Sequence, residues 1–140
     1  MAENVIKAMK KIQGQSTSNP CSISQAAAEA ALRGGLDCVT PMLTAFKERH
    51  DFVVDALNKI EGIECLKGDG TFYAFPSVQK IIDRMDHIHN DTELAEHLIE
   101  KAGVALVPGS AFGQEGFLRL SFATSLDALK SSMARLKEIF

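Results

Sequence analysis

The chain has 140 residues and a mass of 15.2 kDa, with 46% hydrophobic and 24% charged residues. That is the make-up of one ordinary globular domain, large enough to bury a core without disulfides or a structural metal. A formal charge of −3 with acidic and basic residues interspersed argues against a nucleic-acid partner, and no apolar run reaches the ~18 residues that span a bilayer.

Residues 3–12 place Val5, Ile6, Met9 and Ile12 at helical spacing, and the polar run from Gln13 to Pro20 predicts a loop after them. The first residues lack the basic-then-apolar order of a secretory signal, so a cytoplasmic setting is expected. From Cys21 to Arg33 an Ala-rich segment has strong helix propensity and small side chains suited to close packing, with Gly34 and Gly35 as its stop. Thr40 and Pro41 form a helix-start signal. The stripe of Leu43, Phe46, His50, Val53, Leu57 and Ile60 then predicts a long helix running to Gly62, with His50 as a packing residue.

Past Gly62 the pattern changes period. The runs IECLK and TFYAF flank Gly68-Asp69-Gly70 and predict a β-hairpin closed by Pro76. Residues 77–86 read as helical, a further helix follows from an Asp91 cap to a Gly103 stop, and VALV from 104 reads as a strand. After the loop Pro108 to Gly113, residues 117–122 alternate so that Leu118, Leu120 and Phe122 share one face and Phe117, Arg119 and Ser121 the other. Ser125 caps a last helix whose stripe is Leu126, Leu129, Met133, Leu136 and Phe140. This order describes an α/β layer arrangement, a small sheet packed with helices. The first half has no sheet of its own, which points to helices that belong partly with another domain or subunit.

No short motif supplies a full catalytic set: there is no G-x-S-x-G, P-loop or H-E-x-x-H. His87 and His89 lack a third clustered ligand, so no metal site is expected. Cys21, Cys38 and Cys65 match neither a redox pair nor a zinc spacing and are expected to be reduced packing residues. Arg119 stands out as a permanent charge on an interior strand that must meet something anionic. Its planar fork fits either a substrate carboxylate or a structural ion pair with an Asp or Glu.

Several separated segments carry a family resemblance. They are Gln13 to Pro20, Ser24-Gln25-Ala26-Ala27, Gly70-Thr71-Phe72-Tyr73-Ala74-Phe75-Pro76, Val107 to Gly113, and Gly116-Phe117-Leu118-Arg119-Leu120-Ser121-Phe122-Ala123. In this order and spacing the chain resembles bacterial aspartate aminotransferases of the class-I, fold-type-I group, over essentially its whole length. The resemblance implies the fold of that group's α/β small domain. Residues 1–35 would be helices at the end of the large domain and the dimer interface, 36–62 a long interdomain helix, and 63–140 the small domain. It implies that Arg119 binds the substrate α-carboxylate, that the Gly-Thr-Phe-Tyr segment closes toward the substrate, and that the Ser-Asn-Pro segment lies near the neighbouring active site of a homodimer.

In the full-length enzyme the resemblance implies pyridoxal 5'-phosphate as cofactor and transfer of an amino group from an L-amino acid to a 2-oxo acid. The family's cofactor-bearing lysine and the residues that hold the cofactor ring and phosphate have no counterpart here. The chain is therefore expected to be about the last third of such an enzyme, either an excised domain or a truncated gene, with no catalytic or cofactor-binding residue of its own and inactive alone. Aspartate, an aromatic amino acid and alanine all stay open as donor. A reading of another class, a non-catalytic module binding a carboxylate ligand or a protein partner, predicts ligand binding without any cofactor.

Overall fold

In a computed structural model, residues 3–17 and 19–140 are described. Ser18, part of the predicted polar loop and of the Ser-Asn-Pro segment, lies outside them, as do Met1 and Ala2. The chain divides into two compact units, Met1–Val39 and Thr40–Phe140.

The first unit holds helices α1 (Glu3–Ser16) and α2 (Ser22–Arg33), and neither buries a residue. Helix α1 runs through part of the predicted loop. Gln13, Gln15 and Ser16 tolerate helical backbone, Gly14 weakens it by only about 1 kcal/mol, and the Ser16 hydroxyl donates back to the Ile12 carbonyl at 3.0 Å. Both helices carry an i,i+4 pair on their surfaces, Lys7 with Glu3 and Arg33 with Glu29.

The second unit contains the core. Helix α3 (Thr40–Leu57) buries Val53, Val54 and Leu57. It stops five residues short of Gly62: residues 58–62 are turns, although Ile60 is still buried as the stripe predicts. At the other end of the stripe Leu43 is exposed. A three-stranded antiparallel sheet has the order β1 (Tyr73–Ala74), β3 (Leu118–Ser121), β2 (Val107–Pro108). Tyr73 pairs with Ser121 and Ala74 with Leu120 on one side of β3, and Val107 pairs with Arg119 and Pro108 with Leu118 on the other.

The predicted hairpin does not form. Glu64 makes an isolated antiparallel bridge with Ser77, and β1 pairs with β3 instead. The cause is local competition for backbone groups. The Asn58 side chain donates to the Cys65 carbonyl at 2.8 Å and accepts from the Cys65 N–H at 2.9 Å, while the Gly68 N–H donates to His50 Nε2 at 3.1 Å. The outgoing run is thus tied to α3 and to the turn that follows it, and has little left to offer a hairpin partner.

The remaining elements shorten at their edges. Helix α4 (Gln79–Ile82) is one turn of the predicted helical stretch 77–86, and β2 begins only at Val107. Helix α5 (Asp91–Ala102) is capped by Asn90, whose side chain accepts from the Glu93 N–H at 2.9 Å, so Asp91 is its first helical residue and not its cap. Gly103 ends it at φ 60°, the left-handed conformation that glycine adopts without strain. Helix α6 (Leu126–Ile139) has the predicted Ser125 cap and buries Leu129, Met133 and Leu136. The core is one cluster spanning Val53 to Leu136, built from α3, the sheet, α4, α5 and α6.

Candidate functional site: an arginine fork on the open face of the sheet

Strand β3 turns Leu118 and Leu120 into the core, at 1% and 4% exposure, and this places Arg119 on the opposite face, half-buried. The alternation predicted from sequence is the alternation observed. The guanidinium carbon sits over two aromatic rings, 4.4 Å from the centroid of Tyr73 and 4.2 Å from that of Phe112. Its Nε is buried and has no hydrogen-bond partner. Among the described residues no carboxylate pairs with it, so the structural ion pair that was the competing reading is not made. The ring quadrupoles offset part of the cost of holding the charge there, by about 1 kcal/mol each. They do not accept in-plane N–H bonds as a carboxylate does, which leaves the planar fork available to an anion of matching shape.

Each ring is delivered by backbone geometry. Tyr73 comes from β1, paired opposite Ser121 and hence on the face that carries Arg119. Phe112 ends a 3-10 turn, Gly109–Phe112, that follows β2. That turn presses its first residue onto the chain beyond it. A Cβ at Gly109 would collide with the Gln114 carbonyl and with Phe117, so only glycine fits. The Gly109 N–H donates to the Phe117 carbonyl at 2.8 Å, and Asp91 Oδ2 accepts from the Ser110 N–H at 2.7 Å. Phe75 stacks on Phe117 at 5.2 Å, extending the aromatic surface beside the fork.

The other sequence candidates lie elsewhere. His87 and His89 are exposed, and the ring of His87 packs edgewise on His97 at 5.3 Å. Among the described residues no group of three or more His, Cys, Asp or Glu side chains is placed to hold a metal. His50 packs its ring edge on Phe122 at 5.7 Å, as a packing residue should, and is also bonded at both nitrogens. Only Cys65 behaves as a packing cysteine, and burial pushes its thiol above the ordinary range. Cys21 and Cys38 are exposed.

A groove of about 600 Å³ beside α3 is lined by Phe46, His50, Lys67, Thr71 and Phe122 and by none of Arg119, Tyr73 and Phe112. Its mixed lining, with Lys47 and Lys67 against Asp51 and Asp69, selects no ligand charge. The Lys47 ammonium and then His50 hold the Asp51 carboxyl below its ordinary value, and Lys80 does the same for Glu64. Both pairs lie at the surface, where such contacts add little to stability. Tyr73 and Phe112 entered the sequence reading only within the predicted strand and loop and the segments of the family resemblance, and Asp91 only as a helix cap; none of the three was tied to Arg119.

This fold, with an unpaired arginine on the open face of a small sheet, is that of the α/β small domain of fold-type-I aminotransferases. The chain belongs to the family described as aminotransferase class I and II, which matches residues 1–136. It is 51% identical over 140 residues to an aspartate/prephenate aminotransferase of Nitrosomonas europaea, an alignment covering 96% of this chain and 35% of that protein. Its structure is similar to the crystal structure of the aspartate aminotransferase from Rhizobium meliloti, with a TM-score of 0.83 and 41% identity over 96% of this chain and 35% of the other. It also resembles the alanine aminotransferase from Pyrococcus furiosus, with a TM-score of 0.78 and 32% identity over 86% of this chain and 30% of the other. The chain thus spans about a third of the length of the relatives it matches.

Proposed function

We propose that this chain is the C-terminal, substrate-gripping part of an aspartate-type aminotransferase, in which Arg119 receives the α-carboxylate of the amino acid and of the 2-oxo acid. The observation that carries the proposal is the half-buried fork with an unsatisfied Nε and no carboxylate partner on a rigid strand. A guanidinium so placed has the geometry to take a carboxylate in two N–H bonds. The fork fixes the carboxylate in two N–H bonds and thereby orients the Cα–H bond of the substrate, a contribution of position.

The residues of this chain do not by themselves fit pyridoxal 5'-phosphate, the cofactor the family implies for a full-length enzyme. A lysine that bonds covalently to a carbonyl needs a desolvated pocket to lose its proton near neutral pH, and every lysine here is exposed. This supports a chain that is inactive alone and takes up no cofactor. Residues 1–35 would then complete the large domain and dimer interface of a cytoplasmic homodimer, 36–62 would link the domains, and 63–140 would close over the substrate. The donor is not fixed by Arg119, because an α-carboxylate is common to aspartate, alanine and aromatic amino acids.

The test is Arg119→Ala in the intact parent enzyme. Losing two charge-assisted hydrogen bonds removes about 3 kcal/mol, so kcat/KM should fall about a hundredfold or more. Arg119→Lys, which keeps the charge and loses the fork, should recover only part of it. Kinetics near those of the parent in Arg119→Ala would remove Arg119 from the site.

A further inference from the structure

Asp91 is 2% exposed, the one buried charged residue among those described, and no cation pairs with it there. Its own helix does not need it as a cap, because Asn90 fills that role. A carboxyl oxygen is costly to bury without a hydrogen-bond partner, and the bond it makes crosses to another element. Oδ2 accepts from the Ser110 N–H at 2.7 Å, a short bond that gives a buried acceptor its partner.

Ser110 sits inside the 3-10 turn that ends in Phe112. Phe112 is 50% exposed, so burial does not hold its ring in place; the turn that carries it does. The base of the turn is fixed by Gly109, whose N–H is bonded to Phe117. Its flank is fixed by Asp91. From the buried carboxylate the connection runs through the Ser110 N–H and the turn to the Phe112 ring, 4.2 Å from the guanidinium carbon of Arg119.

We propose that Asp91 is a positioning residue for the carboxylate fork, orienting Arg119 through the backbone of Ser110 and the ring of Phe112. This rests on the reading of Arg119 as the carboxylate clamp. What Asp91 supplies is a hydrogen-bond acceptor at a fixed place, so an isosteric neutral acceptor should serve nearly as well and a truncated side chain should not.

The experiment follows the Arg119 Nε–Hε signal of the isotope-labelled 140-residue chain by NMR, alone and titrated with succinate. In Asp91→Ala that signal should move toward the position of a free arginine as the aromatic ring shift is lost. Exchange of the Ser110 amide should quicken about tenfold or more, and succinate should bind about fivefold more weakly. Asp91→Asn should restore all three. A folded Asp91→Ala chain with the Arg119 signal and succinate affinity unchanged overturns the proposal, and so does an Asp91→Asn chain as impaired as the alanine variant. Should Asp91→Ala not fold, Phe112→Leu decides, since the Phe112 side chain is exposed and dispensable for the core. An unmoved Arg119 signal and unchanged affinity there overturn the route through the turn. If the unaltered chain ignores succinate, it is the clamp reading that fails, while the effect of Asp91 on the Arg119 signal is still read without ligand.

Discussion

Arg119 holds a permanent charge against two rings with one nitrogen buried and unbonded, an arrangement that function explains better than stability does. An apolar side chain of similar length should fill the same space without a desolvation cost. Arg119→Met is therefore expected to leave the isolated chain as stable as before or up to about 1 kcal/mol more stable, read from its urea midpoint, while abolishing succinate binding. A loss of more than about 2 kcal/mol would mean that the charge itself holds the sheet together. The arginine was legible in the sequence because a charge inside an alternating apolar strand violates the pattern around it. Its neighbours were not, for different reasons. Tyr73 reaches the fork through a pairing of β1 with β3 that the spacing of the two runs does not reveal, and Phe112 reaches it through a turn whose shape depends on Gly109. Asp91 carried a signal that pointed the wrong way: acidic residues at helix starts are usually caps, and here the residue before it is the cap.

Helices with a local signal form where the sequence places them, though α1 runs past its predicted end and α3 stops short of Gly62, while the run decided by side-chain-to-backbone bonds departs from its predicted pairing. Helix α2 follows from its Ala-rich propensity and glycine stop, and α5 and α6 from apolar spacing with a Gly103 stop and a Ser125 cap, all of them local properties, while the cap of α5 is Asn90 in place of the predicted Asp91. The segment from Ile63 to Phe72 instead depends on Asn58, placed in the turns after α3, which occupies both backbone groups of Cys65. Nothing in the spacing of IECLK and TFYAF reveals that competition. Asn58→Ala would leave a buried backbone N–H and C=O unpaired, at a cost of about 2 kcal/mol in the denaturant midpoint. Asn58→Asp should be nearly as costly, since it keeps the acceptor for the Cys65 N–H but sets a carboxylate oxygen against the Cys65 carbonyl. If Asn58→Ala is neutral, water replaces the amide easily and the failure of the two runs to pair as a hairpin has another cause.

At the scale of the molecule the imbalance lies between a second unit with a closed core and a first unit with none. The hydrophobic residues of α1 and α2 are turned out to solvent: Met9 is 57% exposed, Ile12 68%, Ile23 79% and Leu32 86%. Exposed apolar area of this kind is stable in water only when something covers it. The relatives that this chain matches are about three times its length, and on the proposed reading their additional chain supplies that cover. In its absence the isolated chain should self-associate, with an apparent mass in light scattering that rises with concentration. Because the core cluster runs from Val53 to Leu136, residues 40–140 contain every member of it, and a chain of those residues should unfold cooperatively within about 3 °C of the longer one. That shorter chain should also be less prone to associate. If both chains associate equally, the adhesive surface lies in the second unit, and the exposed side chains on α3 and around the groove, Met42 and Leu43 among them, become the place to look.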